Sequence, residues 1–187
     1  MNIGILALQG AFIEHRHALD ALGARSFEIR QLADFDPNMD GLIIPGGEST
    51  VIGKLLVELH LLEPLKRALA SGLPIFGTCA GMILLSQRVA NSDQHYLDAL
   101  DTTVRRNAYG RQLASFQAST HFKGIGALCA TFIRAPYVEQ AGPAVEVLAT
   151  VDEKIVAVRQ GSVLATAFHP ELSPDTRVHE YFLKMIC

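Results

Sequence analysis

Three short segments of this chain bring together residue types that can do acyl-transfer chemistry. Gly77-Thr78-Cys79-Ala80-Gly81 sets a cysteine between two glycines, and Phe168-His169-Pro170-Glu171 puts a histidine two residues from a carboxylate. Pro45-Gly46-Gly47-Glu48-Ser49-Thr50 offers backbone N–H groups with no bulky side chains around them. Attack of a thiolate on a carbonyl needs a nucleophile, a group that carries its proton to the leaving group, and donors for the oxyanion. Cys79 is the candidate nucleophile and His169 the candidate acid–base. Glu171 would orient the imidazole as the third member of a triad does. Pro170 disfavours helix at His169, which predicts an extended segment in which residues i and i+2 point to the same side. The N–H groups of Gly47 and Ala80 are the candidate oxyanion donors.

Among the elements that must hold these loops, the apolar run Leu73 to Phe76 leads into Cys79, and Met82 to Leu85, a helix-compatible run, follows it. Strand, tight turn and helix make a nucleophile elbow, with cysteine in place of serine. The glycines are expected to serve a sharp turn and close substrate approach. The positive end of the helix dipole favours a thiolate at such a position. Further strands are predicted over Asn2 to Leu8, Ser26 to Arg30 and Gly41 to Ile44, each stopped by turn residues or followed by an apolar helical pattern. Phe12, Leu19 and Leu22 mark one helix, closed by Gly23. Leu55, Leu56, Leu59 and Leu62 mark another, extended past Pro64 by Leu65 and Leu69. Alternating strands and helices predict a parallel sheet covered on both faces. After about residue 100 the texture changes. Thr131 to Ile133, Val145 to Val151, Ile155 to Val158 and Val163 to Ala167 predict antiparallel hairpins, with turns at Asp152-Glu153 and Gln160-Gly161. Thr176 to Ile186 predicts a closing helix. The fold class is α/β, a three-layer sandwich with a mostly parallel sheet and a small antiparallel extension, in one domain spanning 1–187.

Composition narrows the classes. The 187 residues are 49% hydrophobic with a net charge of -3, so global disorder is excluded and neither nucleic acid nor a membrane is expected as a partner. Three cysteines, Cys79, Cys129 and Cys187, form no disulfide framework and fit a reducing, cytoplasmic setting. The apolar stretch at the N-terminus is too short for a signal peptide core or a membrane span.

Each feature also has a plainer reading. A lone cysteine after a buried strand is often a small core residue, and Gly46-Gly47 alone is a turn. Their combination with the His-Pro-Glu loop reverses that reading for Cys79. Cys129 and Cys187 are assigned core and tail roles. His15 and His17 resemble a metal pair, but i and i+2 on a helix do not share a face, so a solvated or interface role is expected. His121 and His179 are unassigned. No metal-ligand spacing appears, and no cofactor is expected. Arg105-Arg106 and Arg134 read as solvated charges unless a ligand calls on them.

Gly77 to Gly81 with the distant His169-Pro170-Glu171 resembles the class I (triad) glutamine amidotransferases. Ala7-Leu8-Gln9-Gly10-Ala11, Pro45 to Thr50, Arg106-Asn107-Ala108-Tyr109-Gly110-Arg111-Gln112 and Phe132-Ile133-Arg134-Ala135-Pro136 stand in the order of one subfamily, the glutaminase subunits of pyridoxal 5′-phosphate synthase complexes. The resemblance implies hydrolysis of L-glutamine to glutamate and ammonia by Cys79, His169 and Glu171. It implies a glutamine site formed by Gly47, Glu48, Ser49, Arg106, Ile133 and Arg134, and a supporting role for Gln9 at the oxyanion region. It also implies a (β/α)8-barrel synthase partner in a large hetero-oligomer. The segment between Val89 and Leu100 departs from the family pattern. Two rivals remain at this point: a cysteine peptidase or deglycase of the same elbow type, and a catalytically silent docking subunit.

Overall fold

The structure, a computed structural model, describes residues 1–106 and 115–186. The stretch from Asn107 to Gln112 and the terminal Cys187 lie outside the described residues. The first half alternates strands and helices: β1 (Asn2–Leu6), α1 (Phe12–Ala21), β2 (Arg25–Ile29), β3 (Gly41–Ile44), α2 (Ser49–Glu58), α3 (Leu62–Ala70), β4 (Ile75–Thr78) and α4 (Ala80–Leu85). The second half is mostly β: β5 (Ser86–Val89), β6 (Leu100–Arg105), β7 (Ser115–Phe122), β8 (Gly126–Ile133), β9 (Tyr137–Ala141), β10 (Glu146–Val151), β11 (Lys154–Gln160) and β12 (Val163–Thr166). Helix α5 (Arg177–Lys184) follows.

The main sheet runs β2-β1-β3-β4-β12-β11-β9-β6-β5, with β10 paired to β11. The strands from β2 to β12 along this order are parallel; beyond them β11 is antiparallel to β12, β9 to β11 and β6 to β9, while β5 is parallel to β6. β7 and β8 form a separate antiparallel hairpin. Strand β4 shows why helices cover both faces. Successive side chains of a strand point to opposite sides. Phe76 packs on His15 of α1 and on His179 and Phe182 of α5. A Cβ at the next residue, Gly77, would meet Leu85 of α4 at 2.6 Å. Thus α1 and α5 lie on one side and α4 on the other, where α2 packs against it. Phe76, Phe122, Phe132, Phe168 and Phe182 are fully buried, each contributing about 1.5–3 kcal/mol of transfer free energy.

Several boundaries differ from the sequence expectation. β1 ends at Leu6 rather than Leu8, and β4 sits two residues later than predicted, running directly into Cys79. The leucine pattern from Leu55 to Leu69 is not one helix. His60 takes a positive φ of 57° and separates α2 from α3. Pro64 then falls in the first turn of α3, where a missing N–H costs no helical hydrogen bond. The atypical segment after Val89 folds back onto α2: Leu97 is buried, and Tyr96 packs so closely on Gly53 that a Cβ there would lie 2.1 Å from its ring.

Candidate functional site

The elbow is built by close packing. Cys79 itself carries the unusual backbone, φ 48° and ψ −98°, between the end of β4 and the start of α4. A non-glycine residue at positive φ costs free energy and persists only when its surroundings enforce it. Here the Cys79 N–H donates to the Thr166 carbonyl at 2.8 Å. The flanking glycines serve a different purpose from the one expected. Neither has a positive φ. A Cβ on Gly81 would lie 2.2 Å from the Ile44 carbonyl oxygen, and one on Gly77 2.7 Å from the Gly81 backbone. Glycine is needed so that α4 can rest directly on the sheet.

His169 follows β12, the strand beside β4, so it and Cys79 stand over adjacent strand ends. Its Nδ1 lies 2.7 Å from Glu171 Oε1, which turns Nε2 to the Cys79 side. The segment is not extended as predicted. Pro170 opens a 3-10 turn over Pro170–Leu172, and Glu171 reaches back to the ring from within that turn. Burial alone pulls the His169 imidazole down. Hydrogen bonds to the Cys79 sulfur and the Glu171 carboxylate, with the charge of each, more than offset this and raise its pKa to about 10. The ring is therefore disposed to hold a proton beside the sulfur. Gly46 leaves room for the pair: a Cβ there would lie 2.3 Å from His169 Cε1 and 3.3 Å from Cys79 Cβ.

The Gly46-Gly47 turn is fixed by its neighbours. The Gly46 N–H donates to Thr78 Oγ1 at 2.9 Å, and the Gly46 carbonyl accepts from the Ala11 N–H at 3.1 Å. Gln9 Oε1 accepts the Glu48 N–H at 2.6 Å. The N–H groups on either side of Gly47 are thus engaged. Ala80 is the first residue of α4, where backbone N–H groups have no partner within the helix.

A cavity of about 320 Å³ opens over Cys79 and His169, and its lining includes Gln9, Gly47, Glu48, Ser49, Arg106, Ile133 and Arg134. Every residue predicted for the glutamine site therefore faces one space. Glu171 and Ala80 do not line it; they lie behind it. The Arg106 guanidinium donates to Glu48 Oε1 at 3.2 Å and Thr50 Oγ1 at 3.3 Å. Arg134 adopts a positive φ of 43°, and the Ile133 carbonyl accepts from Cys79 Sγ at 3.9 Å. Arg105, by contrast, pairs with Glu139 on the neighbouring strand β9.

Two further expectations fail. Cys129 is exposed on β8 rather than in the core, because it falls on the outward side of the alternating hairpin. His15 is neither solvated nor at a surface; it is completely buried, while His17 is exposed. His15 Nδ1 lies 2.9 Å from Nε2 of the equally buried His179, and its Nε2 lies 3.2 Å from Thr78 Oγ1 and 3.6 Å from Glu171 Oε2. The signal was present in the spacing: His15 lies on the same helical stripe as Leu19 and Leu22, and His179 beside Val178 and Phe182. A polar residue type concealed it.

An α/β sheet of this order, with a cysteine elbow facing a His-Glu pair, defines a glutamine amidotransferase fold. A solved glutamine amidotransferase superposes with a TM-score of 0.94 at 44% identity, covering 98% of each chain. A glutamine amidotransferase from Thermotoga maritima shares the fold at 11% identity, with a TM-score of 0.65 over 98% of this chain and 83% of that one. The SNO glutamine amidotransferase family matches residues 5–187, and the chain belongs to that family. It is 55% identical to a pyridoxal 5′-phosphate synthase subunit PdxT of Moorella thermoacetica, over 100% of both chains. It is 51% identical to the PdxT subunit of Streptococcus pneumoniae strain CGSP14, over 99% of this chain and 97% of that one.

Proposed function

We propose that the chain, as one domain over 1–187, hydrolyses L-glutamine and hands the ammonia to a synthase subunit that builds pyridoxal 5′-phosphate. The observation that carries the hydrolysis is the position of His169, between Glu171 and Cys79 at the floor of a cavity lined by two arginines. The fit to glutamine is chemical. Arg106 suits the α-carboxylate, backbone carbonyls take the α-ammonium, and the side-chain amide is left over the sulfur. Cys79 adds to the amide carbon, and Gly47 and Ala80 N–H groups stabilise the oxyanion. His169 gives its proton to the departing nitrogen, so ammonia leaves and a thioester remains. Water, deprotonated by His169, then cleaves the thioester to glutamate and frees the thiol.

The destination of the ammonia is supported by the two PdxT relatives. The partner is read as a (β/α)8-barrel synthase in a large hetero-oligomer, in the cytoplasm. Gln9 and the Gly46-Gly47 peptide are proposed as the point at which the partner activates the glutaminase. In a trans peptide the Gly47 N–H points away from the Gly46 carbonyl. The Ala11 N–H holds that carbonyl, so its release would accompany any reorientation of the donor. Glutamine hydrolysis measured with and without the synthase tests the proposal. Hydrolysis that rises with synthase and vanishes in Cys79→Ala supports it. Inert glutamine in the complex, with turnover of a peptide or glycated substrate instead, would favour a hydrolase of another kind.

A further inference from the structure

We propose that His15 is a positioning residue that, from behind the site, ties the Glu171 carboxylate to the Thr78–Gly46 contact under the oxyanion loop. The inference rests on the assignment of Cys79, His169 and Glu171 as the triad.

Glu171 has a fully buried side chain, and only one of its oxygens is engaged by His169. The other, Oε2, has no hydrogen-bond partner among the described residues, and His15 Nε2 stands 3.6 Å from it. A buried carboxylate is costly to keep charged without donors. The same His15 nitrogen is 3.2 Å from Thr78 Oγ1, the atom that accepts the Gly46 N–H. One ring therefore touches both the carboxylate arm and the anchor of the Gly46-Gly47 turn.

The partners assign the tautomer. His179 Nδ1 has no hydrogen-bond partner among the described residues. An orphaned buried N–H is rarer than an orphaned acceptor. That nitrogen is therefore the bare one, and His179 Nε2–H donates to His15 Nδ1. His15 Nε2 then carries its proton toward Thr78 and Glu171. The opposite tautomer would aim a lone pair at the carboxylate and bury an unsatisfied N–H on His179. Among the described residues no group of three His, Cys, Asp or Glu side chains is disposed to hold a metal ion, so the pair is not read as a ligand set.

The charges around His15 agree with a neutral donor. It faces His179 from α5, Thr78 from β4, and Glu171 with His169 from the loop after β12. Glu14 and His17, on its own helix, line a small cavity that reaches Glu171. Burial first, then His179 and His169, push the His15 imidazole well below its ordinary value. Burial holds His179 at about 4. Both rings stay uncharged while His169 carries its proton.

The test compares His15→Leu with His15→Gln, whose amide nitrogen can replace the Nε2–H. Activity is measured in complex with the synthase, and the His169 imidazole is titrated by NMR. Loss of the ring that faces the Glu171 carboxylate and bonds Thr78 predicts a fall of about ten- to a hundredfold in kcat for His15→Leu through misplacement of the triad, with KM unchanged. The His169 midpoint should drop by about one unit, because a Glu171 carboxylate free to turn away from the ring makes a poorer hydrogen bond to the imidazolium. His15→Gln should restore both. A folded His15→Leu with wild-type kcat and midpoint would overturn the proposal. If His15→Leu does not fold, His179→Phe keeps a ring against Phe76 and removes the N–H that sets the tautomer. It should show a smaller shift in the same direction, and no shift would overturn the proposal. Glutamine hydrolysis surviving in Cys79→Ala would instead remove the triad reading, and this proposal with it.

Discussion

Behind Cys79 and in front of it the molecule is built in two different ways. The rear holds Glu171, His15, Thr78 and His179, all buried: His15 of α1 is bonded to His179 of α5 and Thr78 of β4, and stands 3.6 Å from Glu171 in the loop after β12. The front holds Arg106 and Glu48, whose side chains are 31% and 49% exposed, and the exposed Arg134. Polar groups sealed from water keep one geometry and need no rearrangement when charge develops. An exposed ion pair such as Arg106–Glu48 is worth about 0–1 kcal/mol. A substrate carboxylate can therefore displace Glu48 from the guanidinium at little cost. The rear suits bond making, and the front suits exchange of ligands.

Substitutions should separate the two regions. Cys79→Ala removes the proposed nucleophile and should lower glutamine turnover by about 10⁴-fold or more, measured with the synthase present. Glu171→Gln keeps the shape of the rear but cannot stabilise an imidazolium. Its kcat should fall by about 10²–10⁴-fold with KM little changed. Arg106→Ala, at the front, should do the reverse, raising KM about tenfold or more while kcat changes less. A kcat loss in Arg106→Ala as large as that of Glu171→Gln would erase the distinction.

The two titrating rings also act on pH-dependent stability. His169 is raised to about 10 when folded, against 6.5 for a free imidazole. The stability it contributes is fully present below pH 6.5 and is lost as pH rises towards 10. His179 has the opposite sign: held at about 4, it favours the fold above pH 6.5 and loses that contribution as pH falls towards 4. Denaturant melts across pH should show His179→Phe flattening the acid limb and His169→Asn flattening the alkaline limb. A variant that altered the opposite limb would contradict the assignment.

The elbow, the Gly46-Gly47 loop and the His-Pro-Glu loop are legible in the sequence because each follows a compact apolar run, and a parallel sheet brings strand ends together. The limits of β3 can be read directly because Pro45 ends it abruptly. Less of the second half is readable. β7 alternates buried and exposed positions but is largely polar, and β5 is only four residues long, so neither carries a strong apolar signal. The split between α2 and α3 turns on the backbone of His60, a residue type that does not announce a break. The rear of the site is hidden for a related reason. A buried histidine is identified by what surrounds it, and the neighbours of His15 come from residues 78, 171 and 179, far away in the chain.

The most direct measurement is the mass of the chain after exposure, in the synthase complex, to a glutamine analogue with an electrophilic ketone at the side-chain carbonyl position. The account predicts one adduct, on Cys79, suppressed by excess L-glutamine and absent from Cys79→Ser. Modification of the exposed Cys129 instead, with Cys79 unmodified and glutamine offering no protection, would contradict it.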